Sequence, residues 1–180
     1  MGNAFAAEPL LDDSYTKKLS KLRLHEAQKA YAYYYIKTGR FEEAQNWVSA
    51  AFETAPTKEQ KVRLAYINAQ LLAELGLGYE SALAYEKVLE LHPNNYDITF
   101  SAQIKRAENF DVFKEDIAII EKELRKMLRD DKNISYRDQI YYVWGLKHLE
   151  LEHFSEGESL LRRSISSSVD NYRQKGKSFL

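Results

Sequence analysis

The sequence predicts an all-α fold, an α-solenoid of about four antiparallel helical hairpins plus a partial one. Three observations carry that prediction. Only seven Gly and three Pro occur in 180 residues, too few turn formers for a loop-rich or all-β chain. Small and large apolar residues recur at helical spacing. The pattern also repeats: Ala32, Gly39 and Pro56 return as Ala69, Gly76 and Pro93, each 37 positions on. At the same shift Ala44 corresponds to Ser81, Val48 to Tyr85 and Ala51 to Val88.

A shift of 113 matches Tyr31, Ala32, Phe41, Ala44, Val48 and Ala51 to Trp144, Gly145, Phe154, Gly157, Leu161 and Ser164. Between these copies, Ala107 and Phe110 stand 75 positions after Ala32 and Tyr35, with Leu124, Met127 and Leu128 on a following helix. Helices are expected near 14–38, 41–54, 58–75, 79–91, 96–109, 114–129, 135–151 and 154–168. Gly39 and Gly76 suit the left-handed residue that ends a helix. Pro56 and Pro93 stop the second helix of their hairpins, and Gly78 reads as a further turn residue. Small residues (Ala32, Ala69 and Gly145; Ala44, Ser81 and Gly157) sit where two helices approach closely, and large apolar neighbours fill the seam. Residues 1–13 read as a linker before a domain at 14–180, and the closing NYRQKGKSFL reads as half of another hairpin, as in a piece of a longer chain.

Hairpins of this kind cannot bury their apolar faces alone, so they stack. The pattern resembles the tetratricopeptide repeat, whose period is about 34 residues. In such solenoids the first helix of each hairpin lines the concave surface. Here those helices carry Tyr31, Tyr33, Tyr34, Tyr35, Tyr66, Tyr141 and Tyr142. Four tyrosines within five positions cannot share one seam. Repeat alignment makes Tyr31 and Tyr35 core. It places Tyr33 in the groove with Glu26, Lys29, Lys37, Arg63, Tyr66, Gln70 and Tyr142, a mixture of aromatics and Arg that binding hot spots favour. Lys29 could belong to a clamp for a C-terminal carboxylate, but Tyr33 and Ile67 occupy the places where that clamp needs Asn.

Other chemistry finds little footing. The chain has no Cys and a formal net charge of −1, which removes thiolate chemistry and any electrostatic reason to expect nucleic acid. No run reaches the roughly 18 apolar residues of a membrane span. His148 and His153 miss the i, i+4 spacing of paired metal ligands. Asp131, Asn133 and Ser135 alternate like the start of a calcium loop, but Tyr136 and Tyr142 replace its Gly and Glu. The expected reading there is a polar turn, then Ser135 as a helix N-cap with Asp138 three residues on. Carboxylates lie beside Lys or Arg, as in KEDIAIIEKELRKMLRDD, the pattern of a solvated helix face. Neither a phosphate loop nor GxSxG occurs. The chain reads as a non-catalytic protein-interaction scaffold without cofactor or metal.

Three segments are more specific. DITFSAQIKRAENFD (97–111), KMLRDDKNISYRDQIYY (126–142) and SISSSVDNYRQKGKSF (164–179) resemble the tetratricopeptide lipoprotein family of the Bacteroidetes type IX secretion and gliding-motility machinery, called SprE or PorW. The similarity runs from about residue 20 to the end. It implies a lipid-anchored protein on the periplasmic face of the outer membrane, with the anchor outside these residues, joining other components of the secretion apparatus. VWGLKHLELEHF (143–154) is bulkier than the Ala-rich helix of the family. Two alternatives remain open: a generic tetratricopeptide adaptor, cytoplasmic or periplasmic, that holds an extended peptide, and a regulatory domain of a larger enzyme.

Overall fold

A computed structural model describes residues 20–168 and Ser178. The expected linker at 1–13, residues 14–19 of the expected first helix and most of the final half-hairpin lie outside the described residues; among those described, the first helix starts after Ser20, its N-cap, at Lys21. Among those described there are eight α-helices and one 3-10 helix, with no strand: α1 Lys21–Lys37, α2 Phe41–Thr54, α3 Lys58–Glu74, α4 Gly78–Glu90, α5 Tyr96–Asn109, α6 Ile117–Arg129, η1 Asp131–Tyr136, α7 Arg137–Glu150 and α8 Phe154–Ser167.

The turns explain most of these boundaries. After α1, Gly39 adopts φ +73°, which lets Gly39 N–H donate to Ile36 O at 3.2 Å and Arg40 N–H to Tyr35 O at 2.9 Å. After α3, Gly76 at φ +75° repeats this with Ala73 O at 3.0 Å and Leu72 O at 2.9 Å. This closure satisfies carbonyls that the helix end would leave bare. After α7 the same pair of bonds forms from Glu152 to Leu149 O and from His153 to His148 O, with Glu152 at φ +60°. The three closures stand at the 37- and 113-residue offsets of the sequence repeat.

Contacts divide the chain into two compact units, Met1–Ala102 and Gln103–Leu180. In the first, α1 and α2 run antiparallel. His25, early in α1, reaches Ala51 O and Thr54 Oγ1 late in α2 at 3.0 and 3.2 Å. Further along α1, Tyr31 stacks on Trp47 at 4.0 Å. α3 and α4 pair in the same sense, with Ser81 Oγ donating to Ala69 O at 2.8 Å and Tyr66 edge-on to Tyr85 at 5.3 Å. α2 also packs on α3: Ala32, Ala44, Val48 and Ala51 share a buried cluster with Leu64 and Leu71. The expected small crossing residues Ala32, Ala44, Ala69 and Ser81 are all buried. Tyr31 is buried too, and Tyr35 packs half-buried at the edge of that cluster.

In the second unit, α7 and α8 cross on Gly145 and Gly157. A Cβ on Gly157 would fall 2.6 Å from Leu149 Cδ2, and one on Gly145 would fall 3.0 Å from Leu161 Cγ. Ser164 Oγ donates to Asp138 O at 2.7 Å, which fixes the opposite end of this antiparallel pair. Ile120, Leu124 and Met127 are the buried residues of α6, and α6 packs against α7.

Three local expectations need correction. Gly78 is the first residue of α4 rather than a turn insertion. The helix expected from 114 starts at Ile117, because Asp111 and Asp116 turn the chain first, their carboxylates accepting from Phe113 N–H at 3.0 Å and Ala118 N–H at 2.9 Å. Ser135 is no N-cap. Residues 131–136 form η1, started by Asp130 accepting from Lys132 N–H at 3.0 Å. Buried Asn133 holds η1 in place by donating to Met127 O at 2.8 Å, so α7 begins only at Arg137.

Candidate functional site

On α1, Lys29, Tyr33 and Ile36 stand at i, i+4 and i+7, one face of the helix. On α3, Gln60, Arg63 and Ile67 stand at i, i+3 and i+7, again one face of the helix. The pairing of α2 with both helices brings these faces together around a groove of about 310 Å³, with Ala32, Val48 and Leu64 behind. The floor is apolar and the rims are polar, the usual make-up of a site that seats an apolar side chain and orients it by a few polar groups.

The charges are unevenly committed. Lys29 pairs with Glu26 at 2.9 Å, and this hydrogen bond holds the Glu26 carboxyl below its usual range. Lys37 sits 5.4 Å over the Tyr33 ring, leaving the other side of a ring that is 63% exposed. Arg63 is exposed and makes no ion pair among the described residues. Gln60 Oε1 is buried with no hydrogen-bond partner among the described residues, so it can accept from a donor entering the groove.

Of the eight residues the sequence singles out, Lys29, Tyr33 and Arg63 line this groove, and Glu26 and Lys37 touch it through Lys29 and Tyr33. Gln70 is exposed on α3. Tyr66 packs half-buried against Tyr85 and the core around Val88. Tyr142 is half-buried on α7, in the second unit. Sequence reasoning missed Gln60 and Ile36, and reached Ile67 only as a groove position where a carboxylate clamp needs Asn. Gln60 could have been found by extending the helical spacing from Arg63.

A larger groove of about 570 Å³ opens between α2 and α4, with Asn68 among its lining residues. Its rim sets Glu53 and Glu90 against Lys87, so it presents no single sign of charge. Asn68 Oδ1 is buried there without a hydrogen-bond partner among the described residues.

His148 and His153 lie 5.7 Å apart, ring to ring, and His148 Nε2 meets Glu121 at 2.9 Å. Among the described residues no helix is long and apolar enough to cross a membrane. No protein-family model and no curated protein matches the chain.

Proposed function

We propose that the chain is a tetratricopeptide-like α-solenoid acting as a non-catalytic protein-interaction scaffold, which holds an extended segment of a partner against the α1–α3 groove. The observation that carries this reading is the convergence of Lys29, Tyr33 and Arg63 from two hairpins onto one apolar floor. An exposed ring, an Arg without an ion pair and a buried unpartnered acceptor offer stacking, a charge-assisted bond and a site for a backbone N–H. Resemblance of 97–111, 126–142 and 164–179 to the type IX secretion lipoproteins makes components of that machinery the proposed partners, and the periplasm the proposed location.

The test is crosslinking and pull-down with purified secretion components, comparing the natural chain with Tyr33→Ala/Arg63→Ala. Both side chains are exposed, so the double variant should keep its helical circular dichroism and melting temperature. It should lose partner capture by about tenfold or more, since hot-spot residues carry upwards of about 2 kcal/mol. Undiminished capture by the folded variant would reject the groove. Capture of other periplasmic proteins but none of the secretion components would favour the generic adaptor.

A further inference from the structure

On the second unit, Ile119, Lys122, Lys126 and Arg129 follow one another at spacings of three, four and three along α6, a single helix face. They line a shallow groove of about 570 Å³ together with Glu123. The carboxylate of Glu123 is already engaged by the buried Arg106, and Arg125 is tied to Glu121. Lys122, Lys126 and Arg129 make no ion pair among the described residues. Ile119 is 44% exposed beside them. The helix macrodipole accounts for cations in the last turn, and so for Lys126 and Arg129. It explains neither Lys122 in mid-helix nor an exposed Ile at the start of the same row.

We infer that this face of α6 docks a short, acidic helical segment of a partner protein. Charge complementarity names the occupant's sign, and the ends of the row name its length. Acidic residues close both ends, Glu115 and Asp116 before α6, Asp130 and Asp131 after it. From Ile119 to Arg129 the row covers about 15 Å. A membrane surface or a nucleic acid is anionic over a far longer span and would meet those carboxylates. A segment of two to three turns fits between them, with Asp or Glu at i, i+4 and i+7 against the cations and one apolar side chain over Ile119.

The test uses a fluorescein-labelled helical peptide with Glu at i, i+4 and i+7 and one Leu, its Lys-for-Glu counterpart, and vesicles of phosphatidylcholine and phosphatidylglycerol. At low salt the acidic peptide should bind about tenfold more tightly than the basic one, an advantage that fades as salt screens it. Lys122→Glu/Lys126→Glu/Arg129→Glu should invert the preference. Because reversal in the last turn opposes the helix dipole, Lys122→Gln/Lys126→Gln/Arg129→Gln serves as the gentler variant and should abolish the preference without inverting it. Ile119→Ser should weaken binding of the acidic peptide as much as replacing that peptide's Leu by Ser does, and unchanged affinity in Ile119→Ser would remove Ile119 from the site. Equal affinity for the two peptides, acidic binding that survives the Gln variant, or vesicle binding that the same substitutions remove would each overturn the inference, the last in favour of a lipid surface.

Discussion

The α1–α2 and α7–α8 hairpins are built on the same plan with different tolerances. The first crosses on Ala32 and Ala44, turns on Gly39 and seals its far end with a polar cluster of His25, Gln28 and Thr54, in which Thr54 Oγ1 donates to Gln28 Oε1 at 2.6 Å. The second crosses on two glycines and turns on Glu152. Its seam to α6 is held by a carboxylate, Glu121, which accepts from Trp144 Nε1 at 3.2 Å and His148 Nε2 at 2.9 Å and pairs with Arg125 at 2.9 Å. Closer helix approach, a strained turn and a half-buried charge make the second hairpin the more specified of the two and the easier to break.

The largest expected effect comes from that close approach. Gly157→Val would place its Cβ against Leu149 and 3.2 Å from Gly145 O; Leu149 can shift but the backbone cannot without separating α7 from α8. A loss of about 2–3 kcal/mol is expected from overpacking, read as a lower urea midpoint. Ala44→Gly in the α1–α2 hairpin should cost only about 1 kcal/mol through helix propensity. An unchanged midpoint in Gly157→Val would mean that Leu149 yields and the α7–α8 backbones need not separate.

Glu121 comes next. Burial pushes its carboxyl up, but hydrogen bonds from Trp144, His148 and Arg125 outweigh burial and leave it below its ordinary value of 4.5. A carboxyl lowered in the folded state adds stability that is present above the ordinary value and is lost as the pH falls through the folded one. The protection of α6 and α7 amides, taken relative to intrinsic exchange at the same pH, should therefore fall below about pH 4.5. Glu121→Gln should cost roughly 1–2 kcal/mol at neutral pH and lose this acid step. An acid step that persists in Glu121→Gln belongs to another carboxylate.

Much of this plan is legible in the sequence, because repeats expose what is local. Ala32 with Ala69 and Gly145, or Gly39 with Gly76, reveal crossing points and turns by recurring at fixed offsets. The 41–54 and 96–109 helices fall on their expected bounds for the same reason. What the sequence hides depends on partners far along the chain. Asn133 looks like a ligand or turn residue until Met127 O is seen to accept its amide, and that bond is what delays α7 past Ser135. Tyr66 looks like a groove residue until Tyr85 is found against its ring. Gln60 looks like a solvated helix residue, since nothing local tells that its carbonyl faces an apolar cleft.

The smallest effect is the most diagnostic of the shared plan. Glu152 occupies the position held by Gly39 and Gly76, with the same two closing bonds and a positive φ. A residue with a Cβ pays about 1 kcal/mol there that glycine does not, less the extra freedom that glycine has in the unfolded chain. Glu152→Gly should therefore stabilise the protein by a few tenths to about 1 kcal/mol. Gly39→Ala and Gly76→Ala should each destabilise by a similar amount, although an added Cβ at either meets nothing within 4 Å, so the cost lies in the backbone alone. Thermal melts of the three variants make the comparison direct. Opposite signs at 152 and at 39 and 76 would show one turn built three times, while a destabilised Glu152→Gly would show that the Glu side chain has work of its own at that corner.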